Sequence, residues 1–253
     1  MKIDTALEAA WHPAVNFEER RGGMKPTILL LHYTGVTTIQ HALTCLCTPD
    51  YKVSSHYLID DEGCIIQMVQ EELRAWHAGL SYWAGETDIN SASIGIEIHN
   101  PGHSEGYPDF TEAQMQAVEV LSRDIIARHH IAPHRVLGHS DVAPLRKRDP
   151  GEKFDWARLA RAGIGHWVEP AAIKGDAGLG RGDTGTEVLQ LQRELAAYGY
   201  SIGETGTYDE ATEFTVIAFQ RHFRPALVNG RADRSTVDTL HRLSAGVVSD
   251  KQR

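Results

Sequence analysis

The first two thirds of the chain alternate between strand-like and helix-like hydrophobic patterns. Residues Thr27–Leu31 form a continuous apolar run, which is typical of a strand buried on both faces. Residues Ser93–His99 instead alternate, so that three isoleucines face one way while Gly95, Glu97 and His99 face the other. These two patterns predict central strands of a mixed β-sheet.

Further patterns complete an α/β arrangement around these strands. The segments His56–Asp60 and Cys64–Val69 flank a polar turn and predict a β-hairpin. The pair Thr111 and Gln114 matches a capping box, which predicts the start of a long amphipathic helix. Two shorter elements are predicted, a strand over Arg135–His139 and a helix over Asp155–Arg161. The predicted fold class is therefore α/β, with a central mixed β-sheet flanked by helices.

The last part of the chain has a different pattern. Residues 186–253 contain three stretches in which apolar residues recur at helical spacing. The second and third stretches begin with the same phrase, Gly-x-x-Asp-x-x-Thr, at Gly206 and Gly230. In this phrase the glycine permits a tight turn and the aspartate can cap the helix that follows. These residues predict a small three-helix domain.

A glycine-rich segment separates the two parts. Residues 173–185 read IKGDAGLGRGDTG, which contains five glycines and few apolar residues. This composition is typical of a flexible connection. We therefore expect one domain over residues 1–172, a linker over 173–185 and the helical domain over 186–253.

Composition and charge exclude several classes of protein. The chain has 253 residues and a formal net charge of −9, so the phosphates of a nucleic acid would be repelled. Its three cysteines are too few for a disulfide framework, and no apolar run is long enough to span a membrane. Because 12 of the 14 histidines precede residue 170, imidazole chemistry is expected in the first domain.

Two histidines, His32 and His139, each lie at the carboxyl end of a predicted strand, where α/β sheets bind their ligands. Asp149 follows shortly after His139. Two imidazoles and one carboxylate leave a fourth position open, which is the ligand set of a catalytic zinc ion. Asp149 precedes a proline and could instead be a turn residue. Asp141 competes as the carboxylate, or could orient a ligand imidazole.

Two further side chains fit a hydrolytic site. Glu97 lies on the polar face of its strand beside Gly95, and a carboxylate near a metal can act as a general base. Lys147 lies two residues before Asp149, so in an extended segment both would point to the same side. Its ammonium group could then stabilise a developing oxyanion. Alternatively, Glu97 could lie on the outward face of an edge strand, in contact with solvent. Lys147 could likewise belong to a run of basic residues that is exposed to solvent.

Four segments carry a resemblance to a known family. They are LHYTG at 31–35, AWHAG at 75–79, SIGIEIHN at 93–100 and GHSDVAPLRKRDPG at 138–151. Together they resemble the type 2 N-acetylmuramoyl-L-alanine amidases, which are zinc enzymes related to the peptidoglycan-recognition proteins. The match covers roughly residues 12–160. The helical part is similar to a three-helix peptidoglycan-binding domain.

The resemblance implies the roles of individual residues. It implies one zinc ion per chain, with His32, His139 and Asp149 as its ligands. It implies that Glu97 is the catalytic acid/base and that Lys147 stabilises the oxyanion. It further implies a groove for the substrate lined by three residues, namely Trp76, His77 and Asn90.

The function implied is hydrolysis of the amide between the lactyl group of N-acetylmuramic acid and L-Ala of the stem peptide. The expected partner is peptidoglycan or its soluble muropeptides. Two alternatives stay open, a zinc D,D-peptidase of the cell wall and a non-catalytic peptidoglycan-recognition protein. The N-terminus lacks the pattern of a Sec signal peptide. We expect the protein to be exported by a route that needs no Sec signal and to act in the periplasm or on the cell-wall side. The alternative is a cytoplasmic enzyme.

Overall fold

A computed structural model of the protein describes residues 3–250, and the side chains of residues 3–246. Eight strands are formed by Ala10–Trp11 (β1), Phe17–Glu19 (β2), Ile28–Tyr33 (β3), Tyr57–Ile59 (β4), Ile65–Gln67 (β5), Leu73–Ala75 (β6), Ser93–Ile98 (β7) and Val136–Gly138 (β8). The α-helices are Ile39–Cys47 (α1), Ile89–Ala92 (α2), Glu112–His129 (α3), His139–Val142 (α4), Trp156–Arg161 (α5), Thr186–Tyr198 (α6), Glu210–Phe223 (α7) and Arg234–Asp250 (α8).

Six of the strands form the predicted mixed sheet, in the order β1-β5-β4-β7-β3-β8. Strand β3 lies inside the sheet, next to the edge strand β8, and pairs in parallel with both β7 and β8. Strands β4 and β5 pair in antiparallel register, which confirms the predicted hairpin. Strands β2 and β6 form a separate two-stranded sheet. The α/β fold with a central mixed sheet is confirmed.

The two faces of the sheet are covered by different parts of the chain. Leu29 and Leu31 of β3 lie in one cluster with the isoleucines of β7 and the buried face of α3. Helix α3 begins at the predicted capping box, with reciprocal hydrogen bonds between Thr111 and Gln114. Ile28 and Leu30 point to the opposite face of the sheet, because successive side chains of a strand alternate.

The three predicted helices of the last part are α6, α7 and α8. The aspartates of the repeated phrase cap helices as predicted. Asp209 accepts a hydrogen bond from the backbone N–H of Thr212 at 2.9 Å, and Asp233 accepts one from Thr236 at 2.8 Å. Each cap binds one of the amide groups that a helix leaves unpaired at its start.

The segment between the two parts differs from the expected flexible linker. Its second half is paired with the helical part, since Leu179 forms a β-bridge with Ala232 and Thr184 forms one with Thr207. The two parts also share one hydrophobic cluster, to which Ile28 and Leu30 contribute from the sheet and helices α6, α7 and α8 contribute from the other side. The bridges therefore fix the second half of this segment to the helical part, and apolar burial holds the helical part against the sheet.

Trp83 lies at the centre of this contact. It is fully buried and packs edge-on against Tyr200, with ring centroids 4.9 Å apart. The backbone N–H of Ala84 donates to the carbonyl of Gly199 at 2.9 Å. A Cβ on Gly199 would lie 2.7 Å from the Trp83 ring, so only glycine permits this approach.

Several elements were not predicted, among them the short strands β1, β2 and β6 and helix α1. The three cysteines are free thiols, and Cys64 is exposed. Among residues 3–250, no helix is both long enough and apolar enough to cross a membrane.

Candidate active site

The carboxyl ends of the parallel strands β3, β7 and β8 lie at the same edge of the sheet. His32 of β3 lies directly beside Glu97 of β7 in the strand register, so both side chains emerge on the same face. Strand β8 ends at Gly138, and His139 begins helix α4. The chain returns to this edge with Asp149.

His32, His139 and Asp149 bring three ligand atoms together. Nδ1 of His32 lies 2.9 Å from Nδ1 of His139 and 3.1 Å from Oδ2 of Asp149. Nδ1 of His139 lies 3.0 Å from the same Oδ2 atom. All three residues are buried. Among the described residues, they form the group of side chains that could hold a metal ion. The sequence predicted these three residues.

The chemistry of these atoms fits a bound cation. Nε2 of His139 donates to the carbonyl of Ala78 at 3.0 Å, which leaves a lone pair on its Nδ1 atom. Nε2 of His32 lies 3.0 Å from Nδ1 of His77. When Nε2 of His32 donates a hydrogen bond to His77, Nδ1 of His32 is unprotonated and also has a lone pair. Two lone pairs and a carboxylate oxygen thus face one point. Their spacing approaches the value of about 3.3 Å that follows from tetrahedral bonds of about 2.0–2.1 Å.

Electrostatics keep His32 and His77 neutral and the Asp149 carboxylate charged. Burial, together with the neighbouring His139, lowers the pKa of His32 to about 4. Burial also lowers the pKa of His77 well below its usual range. Burial alone would raise the pKa of Asp149, but His139 and His32 outweigh it and hold that pKa far below its usual range. Neutral imidazole and ionised carboxylate are the forms that bind metals.

Glu97 faces the same cavity as the three ligand atoms. Its Oε2 atom is buried and has no hydrogen-bond partner within the described part of the chain. Burial raises the pKa of Glu97 well above its usual range, the charge of Asp149 raises it further, and Lys147 lowers it. A carboxyl group with a raised pKa and a free oxygen atom is suited to exchanging protons with a substrate.

The cavity has a volume of about 450 Å³ and is rimmed by basic side chains. Lys147 lines it between Arg146 and Arg148, so the basic run lies at the rim of the site. Arg146 is fixed through its guanidinium group, which donates to the carbonyl of Ala78 at 2.6 Å. The sequence predicted Lys147 at this place but gave no indication of the contact between Arg146 and Ala78.

The three predicted groove residues occupy different positions. Trp76 lines the cavity and is partly exposed. His77 is buried, and its ring occupies the space above Gly95, where a Cβ would lie 2.7 Å from it. Asn90 lines an adjoining groove, but its side-chain carbonyl accepts from the backbone N–H groups of His77 and Ala78 at 3.0 and 2.8 Å. Their role in substrate binding stays a prediction.

Asp141 is not one of the three clustered ligands. Its carboxylate accepts hydrogen bonds from the backbone N–H of Gly138 and from two side chains of the helical part, Tyr200 and His222. This geometry favours Asp149 over Asp141 as the source of the ligand oxygen. Sequence reasoning missed the link to the helical part, because no local pattern indicates that residues so distant in the chain meet.

His103 is a second residue that sequence reasoning missed. It lies at the cavity rim, where its Nδ1 atom is 2.9 Å from the hydroxyl of Tyr33 and its Nε2 atom is 3.2 Å from Glu152. It begins a 3-10 turn of only three residues, His103–Glu105, where no periodic pattern separates it from the other histidines of the first domain.

Two family models match the chain. The model for N-acetylmuramoyl-L-alanine amidase matches residues 22–152, and that for a peptidoglycan binding domain matches residues 184–240. The chain is 40% identical over 221 residues to the N-acetylmuramoyl-L-alanine amidase AmiD of Escherichia coli, with 83% of this chain and 79% of that protein covered. It is 33% identical over 170 residues to the 1,6-anhydro-N-acetylmuramyl-L-alanine amidase AmpD of Salmonella typhimurium, with 60% and 89% covered.

Solved structures show the same similarity. AmiD from E. coli, in complex with anhydro-N-acetylmuramic acid-L-Ala-D-γ-Glu-L-Lys, superposes with a TM-score of 0.75 at 36% identity, covering 91% of this chain and 98% of that one. AmpDh3 from Pseudomonas aeruginosa superposes with a TM-score of 0.73 at 29% identity, covering 97% and 98%. Both similarities extend across the sheet and the helical part.

Proposed function

This chain belongs to the N-acetylmuramoyl-L-alanine amidase family, and from that premise we propose that a zinc ion held by His32, His139 and Asp149 serves its reaction. The enzyme hydrolyses the amide between the lactyl group of N-acetylmuramic acid and L-Ala of the stem peptide, in peptidoglycan or its fragments. The observation that carries the proposed metal is the meeting of two imidazole nitrogens and one carboxylate oxygen at 2.9–3.1 Å.

The residues around this centre have distinct tasks in the reaction. A zinc ion bound there would polarise the scissile carbonyl and make water nucleophilic near neutral pH. Glu97 accepts a proton from the attacking water and passes it to the departing amine of L-Ala. Lys147, at the cavity rim, stabilises the negative charge that develops on the carbonyl oxygen. The partial exposure of Trp76 leaves its ring available to a bound sugar or peptide.

We also propose that the helical part binds the polymer and that the enzyme works on the cell-wall side of the membrane. The match of residues 184–240 to a peptidoglycan binding domain supports both statements. Because this part packs on the sheet, polymer bound to it would be held at a set distance from the active site. Cell fractionation with a cytosolic marker tests the location, and enzyme confined to the cytosolic fraction would contradict it.

Product analysis tests the proposed reaction. Purified protein loaded with zinc is incubated with muropeptides, and the products are separated and analysed by mass spectrometry. We expect intact stem peptides that carry a free L-Ala amine, together with peptide-free sugars. Cleavage within the peptide would instead indicate a D,D-peptidase, and binding without cleavage would indicate a recognition protein. The family matches favour neither of these alternatives.

A further inference from the structure

The carboxylate of Asp141 joins the helical part to the metal centre. Asp141 is fully buried in helix α4. Its Oδ2 atom accepts from the backbone N–H of Gly138 and from Nδ1 of His222, both at 2.7 Å. Its Oδ1 atom accepts from the hydroxyl of Tyr200 at 2.8 Å. Two of the three donors to this buried carboxylate thus come from beyond residue 185.

Helix α4 carries one of the metal ligands and contacts the segment that carries another. The helix has only four residues, His139–Val142, so its own hydrogen bonds cannot fix its position. Its first residue is the ligand His139. The backbone N–H of Ser140 donates to the carbonyl of Asp149 at 2.9 Å, which ties the second ligand to the same turn. A shift of Asp141 would therefore be passed to both His139 and Asp149.

Trp156 packs against His222 and so supports the hydrogen bond between His222 and Asp141. Its ring stacks on the ring of His222, with centroids 3.7 Å apart and an angle of 20° between the planes. It also lies against Gly138, where a Cβ would be 3.3 Å from the indole. His222 is thereby held between a stacking partner and its acceptor, and it is 3% exposed.

We infer that His222 and Tyr200 of the helical part are positioning residues for the metal ligands His139 and Asp149, acting through Asp141. This inference rests on the metal centre proposed above. The helical part would then have a second task besides binding the polymer, because the geometry of the active site would depend on Tyr200 and His222. The test measures zinc affinity directly, so it does not rely on activity.

The first variant is Tyr200→Phe, which removes one donor to Asp141 and leaves the ring in place. Tyr208→Phe is the matched control. Tyr208 is also fully buried, and its hydroxyl donates to the carbonyl of Gly230 at 2.7 Å, within the helical part. Both variants therefore lose one buried hydroxyl and one hydrogen bond, but only Tyr200→Phe affects Asp141.

The second pair of variants is made at His222. His222→Phe keeps a ring for stacking on Trp156 and removes the donor to Asp141. His222→Asn places an amide N–H near the position of Nδ1 and should partly restore the hydrogen bond. If His222→Phe fails to fold, Tyr200→Phe still tests the inference.

Zinc dissociation constants are measured on the metal-free full chain by competition with a chelator, and unfolding temperatures are recorded alongside. We expect Tyr200→Phe and His222→Phe to weaken zinc binding about tenfold, as loss of an outer-shell partner does elsewhere. His222→Asn should recover part of this loss. Tyr208→Phe should lower the unfolding temperature but leave the zinc affinity unchanged. In the zinc-loaded proteins, kcat should fall in Tyr200→Phe with little change in KM.

Equal zinc affinity in Tyr200→Phe, His222→Phe and Tyr208→Phe would overturn the inference, since the link to Asp141 would then have only a structural role. It would leave the proposed metal centre intact. Failure of the unaltered protein to bind zinc would contradict the metal centre and the inference together. The two failures are therefore distinguishable in one series of measurements.

Discussion

At the scale of single residues, the active site depends on Gly95, which has no side chain, and on the carboxylate of Glu97. Both residues lie on the same face of β7. Gly95 leaves the space that the ring of His77 fills. Glu97, two residues on, projects into the cavity beside the metal ligands. The alternation of SIGIEIHN predicted this shared face, because strand periodicity depends on the local sequence alone.

Gly95→Ala should disturb the metal centre through His77. The new methyl group would lie 2.7 Å from the His77 ring, which must move, and Nδ1 of His77 lies 3.0 Å from the ligand His32. We expect zinc affinity to fall about tenfold. Gly203→Ala is the control, because a Cβ there meets its nearest atom at an ordinary 3.5 Å. Equal zinc affinity in both variants, measured by chelator competition, would contradict this account of Gly95.

Glu97→Gln should remove turnover and retain the metal. The amide has nearly the same shape but cannot accept the proton, so kcat should fall about 10²–10⁴-fold. Zinc content should stay unchanged, because the Glu97 side chain is not one of the three clustered ligands. The measurement is the initial rate of muropeptide cleavage together with the zinc-to-protein ratio. A variant that cleaves at the normal rate would exclude Glu97 as the proton carrier.

At the scale of elements, hydrogen bonds and ion pairs connect strands and helices whose contact the sequence pattern does not predict. Glu71 lies just before β6, and its carboxylate accepts from the hydroxyl of Tyr57 in β4 at 2.6 Å. It also binds Arg128 and His129 at the end of α3, the latter at 2.6 Å. Periodicity predicted β4 and α3, but no local signal places their ends around one buried carboxylate.

The Glu71 cluster predicts a pH dependence of stability. Burial raises the pKa of Glu71, but hydrogen bonds from His129, Arg128 and Tyr57 outweigh it and lower the pKa from 4.5 to about 2. A carboxyl with a lowered pKa stabilises the fold fully above pH 4.5, and this contribution is lost as the pH falls from 4.5 to about 2. The shift corresponds to about 3 kcal/mol.

Glu71→Gln should therefore flatten the fall in the free energy of unfolding between pH 5 and pH 2, while being less stable than the unaltered protein at neutral pH. Urea unfolding at several pH values measures this. Glu72→Gln, at the exposed neighbouring position, is the control and should keep the original slope. A Glu71→Gln variant with an unchanged slope would show that other groups cause the acid sensitivity.

At the scale of the whole molecule, the two parts form one packed body. The pattern of the chain predicted a sheet domain and three helices, because each has its own periodicity. It did not predict their contact, since an apolar face on a strand does not reveal which surface covers it. The glycine-rich segment 173–185 predicted a flexible connection, and it gave no indication that Trp83 packs against the residues around Gly199.

Trp83→Ala should destabilise both parts at once. Loss of a fully buried tryptophan costs about 3–5 kcal/mol, and here the cavity would lie in the hydrophobic cluster that the two parts share. We expect one cooperative unfolding transition in the unaltered protein and a lower midpoint in the variant. Leu80→Ala is the control, because Leu80 is 88% exposed. Two separate transitions in the unaltered protein would contradict a shared core.

The candidate site was predictable to different degrees. His32, His139 and Asp149 follow from strand ends and a specific motif, and the structure places their ligand atoms together. His77 was predicted as a groove residue, but its ring also lies against His32, a contact between residues far apart in the chain. Tyr200 and His222 could not be predicted, since their role depends on how α7 and the preceding segment pack on α4.

Metal analysis tests whether His32, His139 and Asp149 hold one zinc ion. The purified chain and its His139→Ala variant are dialysed against zinc and then against metal-free buffer, and the zinc-to-protein ratio of each is measured. We expect a ratio near one for the unaltered chain and near zero for the variant. Equal zinc in both proteins, or none in the unaltered chain, would contradict this expectation.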